Sequence, residues 1–269
     1  MTSRMSGMLV AVQPPDIAAL RRDARERALG RARQPFDGTV MDGEVTRRYV
    51  PAHPSSREAA VVFLHGGFGL FGDLELQDGY CRRIAGLLGA TVVSVAYRLA
   101  PEATLAESAA DAVTAADALR RDGFARVALW GDSAGGAVAV AAAHDARADA
   151  LVLSNPNVDL TLASYDDTAA GGPGRELSEW SFARWAGGGT LAAAPDLADG
   201  AAGLPPVYIA VGSEDSLLPD AQRLAAACTE AGVAARLRVV PGAVHGFMGG
   251  LDLAVADDVI ADAGRFAGL

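Results

Sequence analysis

The 269-residue sequence contains no lysine, so all 23 of its basic residues are arginine. That absence excludes a Schiff-base lysine, a phosphate-binding P-loop lysine and a Ser-Lys catalytic pair. Cysteine is scarce as well. Cys81 and Cys228 lie far apart in helical patterns, without the dense spacing of a secreted disulfide scaffold, and read as buried free thiols. Long apolar runs are missing. The only one near the N-terminus, Met8 to Val12, is too short for a signal-peptide core or a bilayer span, so a cytoplasmic protein with no membrane partner is expected. Positive charge is in deficit: 33 acidic side chains against 23 basic ones give a formal charge of −10. Such a surface repels phosphate backbones and anionic lipid, so nucleic acid is not an expected partner.

What is present is apolar material, 51% of the chain, enough for one sizeable core and a single domain over residues 1–269. Ile17, Leu20, Ala24 and Ala28 recur at helical spacing and Gly30 closes the run. Val45 to Val50 reads as an early strand and Ala59 to Leu64 as a fully buried one. Strands then alternate with helices. Strands are expected at Thr91 to Ala96, Val127 to Trp130, Ala150 to Ser154, Val207 to Val211 and Leu237 to Val240. Helices are expected through Leu76 to Leu88, Leu105 to Leu119, from Ala134, Asp220 to Ala231 and from about Ala254. This alternation implies right-handed crossovers and an α/β fold with a mostly parallel sheet flanked by helices. Asn157 to Leu204 breaks the pattern. It is rich in Gly, Ala, Asp and Pro, has one helical stretch at Leu177 to Trp185, and reads as an insertion over the strand ends. Trp180 and Trp185 are expected to pack this insertion on the core rather than wall a pocket. Apolar edge strands near the C-terminus admit a homodimer.

The strongest local signal is Gly131-Asp132-Ser133-Ala134-Gly135-Gly136, between an expected strand and an expected helix. A serine raised on such a turn has a strained backbone, and small residues are needed two positions either side, here Gly131 and Gly135. A serine hydroxyl needs a base. Of the four histidines, His144 follows Ser133 on its own helix and cannot fold back, and His53 sits in a solvated Pro- and Ser-rich turn. His65 is best placed to order its own loop. His245 follows the last strand, which returns the chain to the edge where Ser133 emerges, and is the expected base. An acid after the penultimate strand would hold the histidine's other N–H. Asp215 is chosen, Glu214 is the local competitor, and Asp220 belongs to the next helix. His65-Gly66-Gly67-Phe68-Gly69 follows the third strand, where backbone N–H groups, with that of Ala134, could face an oxyanion.

HGGFG at His65 to Gly69, AYRLAPE at Ala96 to Glu102, GDSAGG at Gly131 to Gly136, LPPVYIAVGSEDSLL at Leu204 to Leu218 and VHGF at Val244 to Phe247 occur in this order. With them the sequence resembles the hormone-sensitive-lipase-like branch of the α/β hydrolases, which includes many bacterial carboxylesterases. The resemblance implies a triad of Ser133, Asp215 and His245 and oxyanion N–H groups from Gly67, Phe68 and Ala134. His65, Gly66, Gly131, Asp132 and Gly135 then support them. It also implies a cap from residues 1–40 and 157–204, hydrolysis of small or short-acyl carboxylic esters through an acyl-enzyme, and no metal or organic cofactor. Two positions depart from the family pattern: Phe68 replaces a glycine, and Ala96 replaces an acidic residue. The cap is also short, leaving the site open or completed by a partner subunit.

Other functions compete for the same features. Lactone opening or a dehydration in small-molecule biosynthesis would use the same triad, prompted by Phe68 in the oxyanion loop. A non-catalytic small-molecule receptor, a role this fold has in a related plant family, would be expected to lack a triad member. An NADP-binding oxidoreductase is suggested by Gly67-Phe68-Gly69-Leu70-Phe71-Gly72, with Arg98 available to a 2′-phosphate. That last reading leaves the serine turn, the acid and the final histidine unexplained.

Overall fold

The computed structural model describes residues 14–249 and 253–269. The apolar run at residues 8–12 lies outside them. Eight strands form one sheet: β1 (Gly38–Asp42), β2 (Thr46–Pro51), β3 (Ala59–Leu64), β4 (Thr91–Val95), β5 (Arg126–Asp132), β6 (Ala150–Ser154), β7 (Val207–Gly212) and β8 (Ala235–Val240). Their spatial order is β1-β2-β4-β3-β5-β6-β7-β8. The β1–β2 and β2–β4 pairs are antiparallel and every later pair is parallel. The expected mostly parallel α/β sheet is therefore present, with an antiparallel extension at one edge.

Among the described residues, seven α-helices accompany it: α1 (Ile17–Leu29), α2 (Asp78–Leu88), α3 (Leu105–Arg121), α4 (Ala134–Ala142), α5 (Arg175–Trp185), α6 (Leu218–Glu230) and α7 (Leu253–Ala267). Strand alternation divides the core in two. Val62, Leu64, Leu129, Leu151 and Ile209 join the cluster under α3, α4 and α6. Val61, Phe63, Trp130, Val152 and Tyr208 join the one under α2 and α7. Both faces of the central strands are covered, which is why those strands read as unbroken apolar runs. Cys81 and Cys228 are buried and unpaired, as expected.

Local chemistry sets several helix starts. Asp16 accepts the Ala19 N–H at the head of α1, and Thr104 and Glu107 cap each other's backbone ahead of α3. Arg21 ties α1 to the main body by donating to the carbonyls of Leu70 and Ala100 and to Glu102. The insertion packs through Phe182 and Trp185, both fully buried. The Trp185 indole donates to the Ser108 hydroxyl at 3.0 Å.

The structure corrects several sequence expectations. β1 was not foreseen, because Gly38–Asp42 is short and largely exposed. α4 stops at Ala142, so His144 occupies the exposed turn after the helix rather than the helix itself. The free edge of β8 is less apolar than expected, since Arg236 and Arg238 stand on it and pair with Asp262 and Asp258. Charges of this kind blunt an edge strand. Among the described residues, no helix is long and apolar enough to cross a membrane.

Candidate active site

The carboxyl ends of β5, β7 and β8 bring Ser133, Asp215 and His245 together. Ser133 begins the turn into α4 with φ +54° and ψ −120°, a conformation that β-carbon-bearing residues rarely adopt. The neighbouring glycines are sterically required. A β-carbon on Gly131 would collide with the Gly135 backbone, and one on Gly135 with the carbonyl of Leu64. The glycines two positions either side therefore give the backbone room to turn sharply at Ser133.

His245 Nε2 lies 2.9 Å from Ser133 Oγ. Its Nδ1 lies 2.9 Å from Asp215 Oδ2. Because a carboxylate only accepts, Nδ1 carries the proton and Nε2 faces the hydroxyl as an acceptor. Asp215 is buried, and its other oxygen accepts the Leu217 N–H at 3.0 Å. Glu214 points to solvent and takes no part in this relay. Asp220 is buried in the first turn of α6, where it accepts the N–H groups of Val158 and Asp159.

Gly66 fits flush against the serine turn: a β-carbon there would meet Ser133 Cβ at 3.2 Å. The following residues turn sharply, with Gly67 at φ +116°, Phe68 at +61° and Gly69 at +70°. Among the described residues, the N–H groups of Gly67, Phe68 and Ala134 donate to no other group of the chain. The Ala134 N–H also stands at the positive end of α4. Phe68 keeps its left-handed backbone with its carbonyl accepting the Ser181 hydroxyl. Its ring lies 5.7 Å from that of Phe71.

His65 is fully buried and does not reach Ser133. Its Nδ1 donates to the Gly66 carbonyl at 2.7 Å, and its ring stacks on Tyr97 at 4.4 Å. Burial drives its basicity down, so it is a neutral loop-ordering group. Tyr97 in turn donates to the His65 carbonyl at 2.7 Å, which accounts for the Tyr of the AYR block. Asp132, also buried, has its carboxyl pushed upward by desolvation and accepts from Ser154 and Gln77.

Two site residues escaped the sequence reading. Asn157 is buried beside Ser133, its amide oxygen 3.3 Å from Ser133 Oγ and its NH₂ unpartnered. Gln77 bonds both the Gly66 N–H and Asp132. Both sit outside any recognisable motif. Asn157 follows Pro156 in what reads as an ordinary loop, and the only cue at Gln77 is a polar residue opening an amphipathic helix.

A cavity of about 820 Å³ opens over Ser133 and His245. Phe68 and Phe71 form part of its wall, the chain from Ala28 to Gln34 crosses one side, and Gly172 to Gly174 of the insertion border another. Trp180 and Trp185 do not line it. The glycine run that suggested a dinucleotide site does not open a helix, since α2 begins at Asp78. Arg98 is engaged with Asp111.

Residues 61–249 match the model of a family described as having the alpha/beta hydrolase fold. Esterase LipI of Mycobacterium tuberculosis is 34% identical over 224 residues, spanning 74% of this chain and 69% of the relative. An ethyl acetate hydrolase of Pseudomonas putida is 30% identical over 239 residues, spanning 78% and 74%. A solved hormone-sensitive lipase from a metagenome library superposes with a TM-score of 0.81 at 28% identity, covering 95% of this chain and 93% of that one. The chain belongs to the alpha/beta hydrolase fold family, in its hormone-sensitive-lipase-like branch of carboxylesterase-type serine hydrolases.

Proposed function

We propose that Ser133, His245 and Asp215 are the nucleophile, the base and the orienting acid in hydrolysis of small or short-acyl carboxylic esters. One observation carries this reading: an unbroken relay of two 2.9 Å contacts from Ser133 Oγ through the imidazole to a buried carboxylate. The Ser133 proton has two acceptors in reach, and His245 at 2.9 Å is closer than Asn157 at 3.3 Å. As Oγ bonds to the ester carbonyl carbon, Nε2 takes that proton and Asp215 stabilises the imidazolium. The carbonyl oxygen becomes anionic and accepts from the N–H groups of Gly67, Phe68 and Ala134. The carbon–oxygen bond to the alcohol then breaks, and the alcohol leaves with the proton from His245. Water, deprotonated by the same imidazole, releases the acid and restores Ser133.

The aromatic pair Phe68 and Phe71 in the cavity wall supports small acyl groups, as does the name of the ethyl acetate hydrolase relative. In the same reading, residues 1–40 and 157–204 act as the cap, of which Ala28 to Gln34 and Gly172 to Gly174 border the cavity. In this reading the protein is cytoplasmic, and the charged free edge of β8 disfavours an edge-to-edge homodimer, which light scattering tests. The catalytic reading is tested by incubation with a fluorophosphonate and peptide mass mapping. Label is expected on Ser133 and lost in Ser133→Ala. Label elsewhere, or none on folded protein, overturns it.

A further inference from the structure

Gln77 occupies the position just before α2 where a side chain ordinarily caps the helix, yet it makes no capping bond. Its amide is used elsewhere. Oε1 accepts the Gly66 N–H at 2.9 Å and Nε2 donates to Asp132 Oδ2 at 2.7 Å. An N–H needs an acceptor and a carboxylate needs a donor, so the partners themselves fix which way the amide faces.

The two groups it joins belong to different parts of the site. Gly66 leads into the N–H groups of Gly67 and Phe68, and Asp132 precedes Ser133. Gly66 is in contact with the serine turn, so a small displacement of either carries to the other. The link continues behind Asp132. Ser154 donates to Asp132 Oδ1 at 2.5 Å, Tyr80 donates to Ser154 at 3.4 Å, and Trp130 donates to Tyr80 at 2.9 Å. Tyr80 lies on the helix that Gln77 opens, so α2 holds the bridge at both ends.

We infer that Gln77 is a positioning residue that sets the distance between the nucleophile and the oxyanion N–H groups by bridging Gly66 to Asp132. This rests on the acyl-transfer reading above. A bridge of this kind acts on the tetrahedral state, where alignment of the N–H groups with the oxyanion matters most, and has little effect on ground-state binding. Desolvation of Asp132 adds a second requirement. Its carboxyl depends on the Gln77 NH₂ for one of its two donors.

The test compares wild type with Gln77→Leu, which removes both bonds, and Gln77→Glu, which keeps the acceptor and removes the donor. In Gln77→Leu, kcat on a short-chain aryl ester is expected to fall about 10- to 100-fold with KM nearly unchanged. Affinity for an alkyl boronic acid, which forms a tetrahedral adduct on Ser133, should weaken in proportion. Affinity for an unreactive amide analogue should hold. In Gln77→Glu, a protonated glutamic acid can still donate to Asp132, so its kcat relative to wild type should rise as pH is lowered from about 8 to about 5.

Unchanged kcat in both variants overturns the inference. So does a flat Gln77→Glu ratio across pH, or a loss of kcat, KM and melting temperature together with boronic acid affinity intact. If Gln77→Leu fails to fold, the Gln77→Glu ratio alone decides. Ser133→Ala, run in parallel, separates the two levels: a variant that still turns over overturns the acyl-transfer reading and this inference with it. A dead one leaves the Gln77 results to speak for themselves.

Discussion

Gly171 of the insertion pairs in parallel with Asp215, through a Gly171 N–H to Glu214 carbonyl bond of 2.9 Å and a Ser216 N–H to Gly171 carbonyl bond of 2.7 Å. The loop bearing the acid is thus held from outside the sheet by a segment far away in sequence. A β-carbon on Gly171 would come within 2.8 Å of Val244 Cβ, and Val244 adjoins His245. Gly171→Ala is expected to displace His245 and lower kcat about 10-fold or more, with fluorophosphonate labelling of Ser133 slowed to match. Wild-type labelling rates in the variant would refute the coupling.

Asp215 and Glu214 are neighbours with opposite expectations. Asp215→Asn cannot hold the imidazole in the required tautomer and should lower kcat by roughly 10⁴-fold. Glu214→Gln alters an exposed side chain outside the relay and should leave kcat within about twofold. Steady-state kinetics on one ester separates them.

Phe68 adopts a left-handed backbone that costs a side-chain-bearing residue about 1–2 kcal/mol, and its ring narrows the cavity beside Phe71. Phe68→Gly retains the backbone N–H, so turnover of an acetyl ester should stay within about threefold of wild type. Removing the ring should instead raise kcat/KM for longer acyl chains relative to acetate. A chain-length series of aryl esters reads both effects, and an unaltered acyl preference would show that the ring does not border the acyl group.

Asp220 is buried against the Val158 and Asp159 N–H groups, shares Ser164 with Asp159, and has its carboxyl pushed up by desolvation to about 7. Between its ordinary value near 3.8 and about 7 the folded state keeps a proton that the unfolded state has released. Stability therefore falls as pH rises through that window, by on the order of a few kcal/mol from this group. Asp220→Asn should flatten the dependence. Urea midpoints of both proteins at pH 5 and pH 8 check it, and equal pH sensitivity would contradict it.

The residues whose chemistry depends on chain order were the readable ones. Gly131, Ser133 and Gly135 announce a strained turn because no other residues fit it, and Asp215 and His245 follow strands whose apolar runs mark them. β1 was hidden because an exposed edge strand needs no apolar pattern, and its pairing is set by β2 through register alone. Gln77, Asn157 and Gly171 were hidden for another reason. Each acts through a partner brought close only by folding, so nothing at neighbouring positions reveals it. In β8 the apolar members dominate the pattern, and the pairing of Arg236 and Arg238 with acids of α7 is set only by folding.

The hydrogen-bond relay joins residues 112 positions apart, contributed by three successive crossovers of the sheet. Pairings of such long range are among the slowest to establish in folding. A fragment ending before β8 lacks His245 and is expected to leave an ester uncleaved. Recovery of activity after dilution from denaturant would therefore report completion of the whole topology, later than any spectroscopic signal from the α2–α4 half.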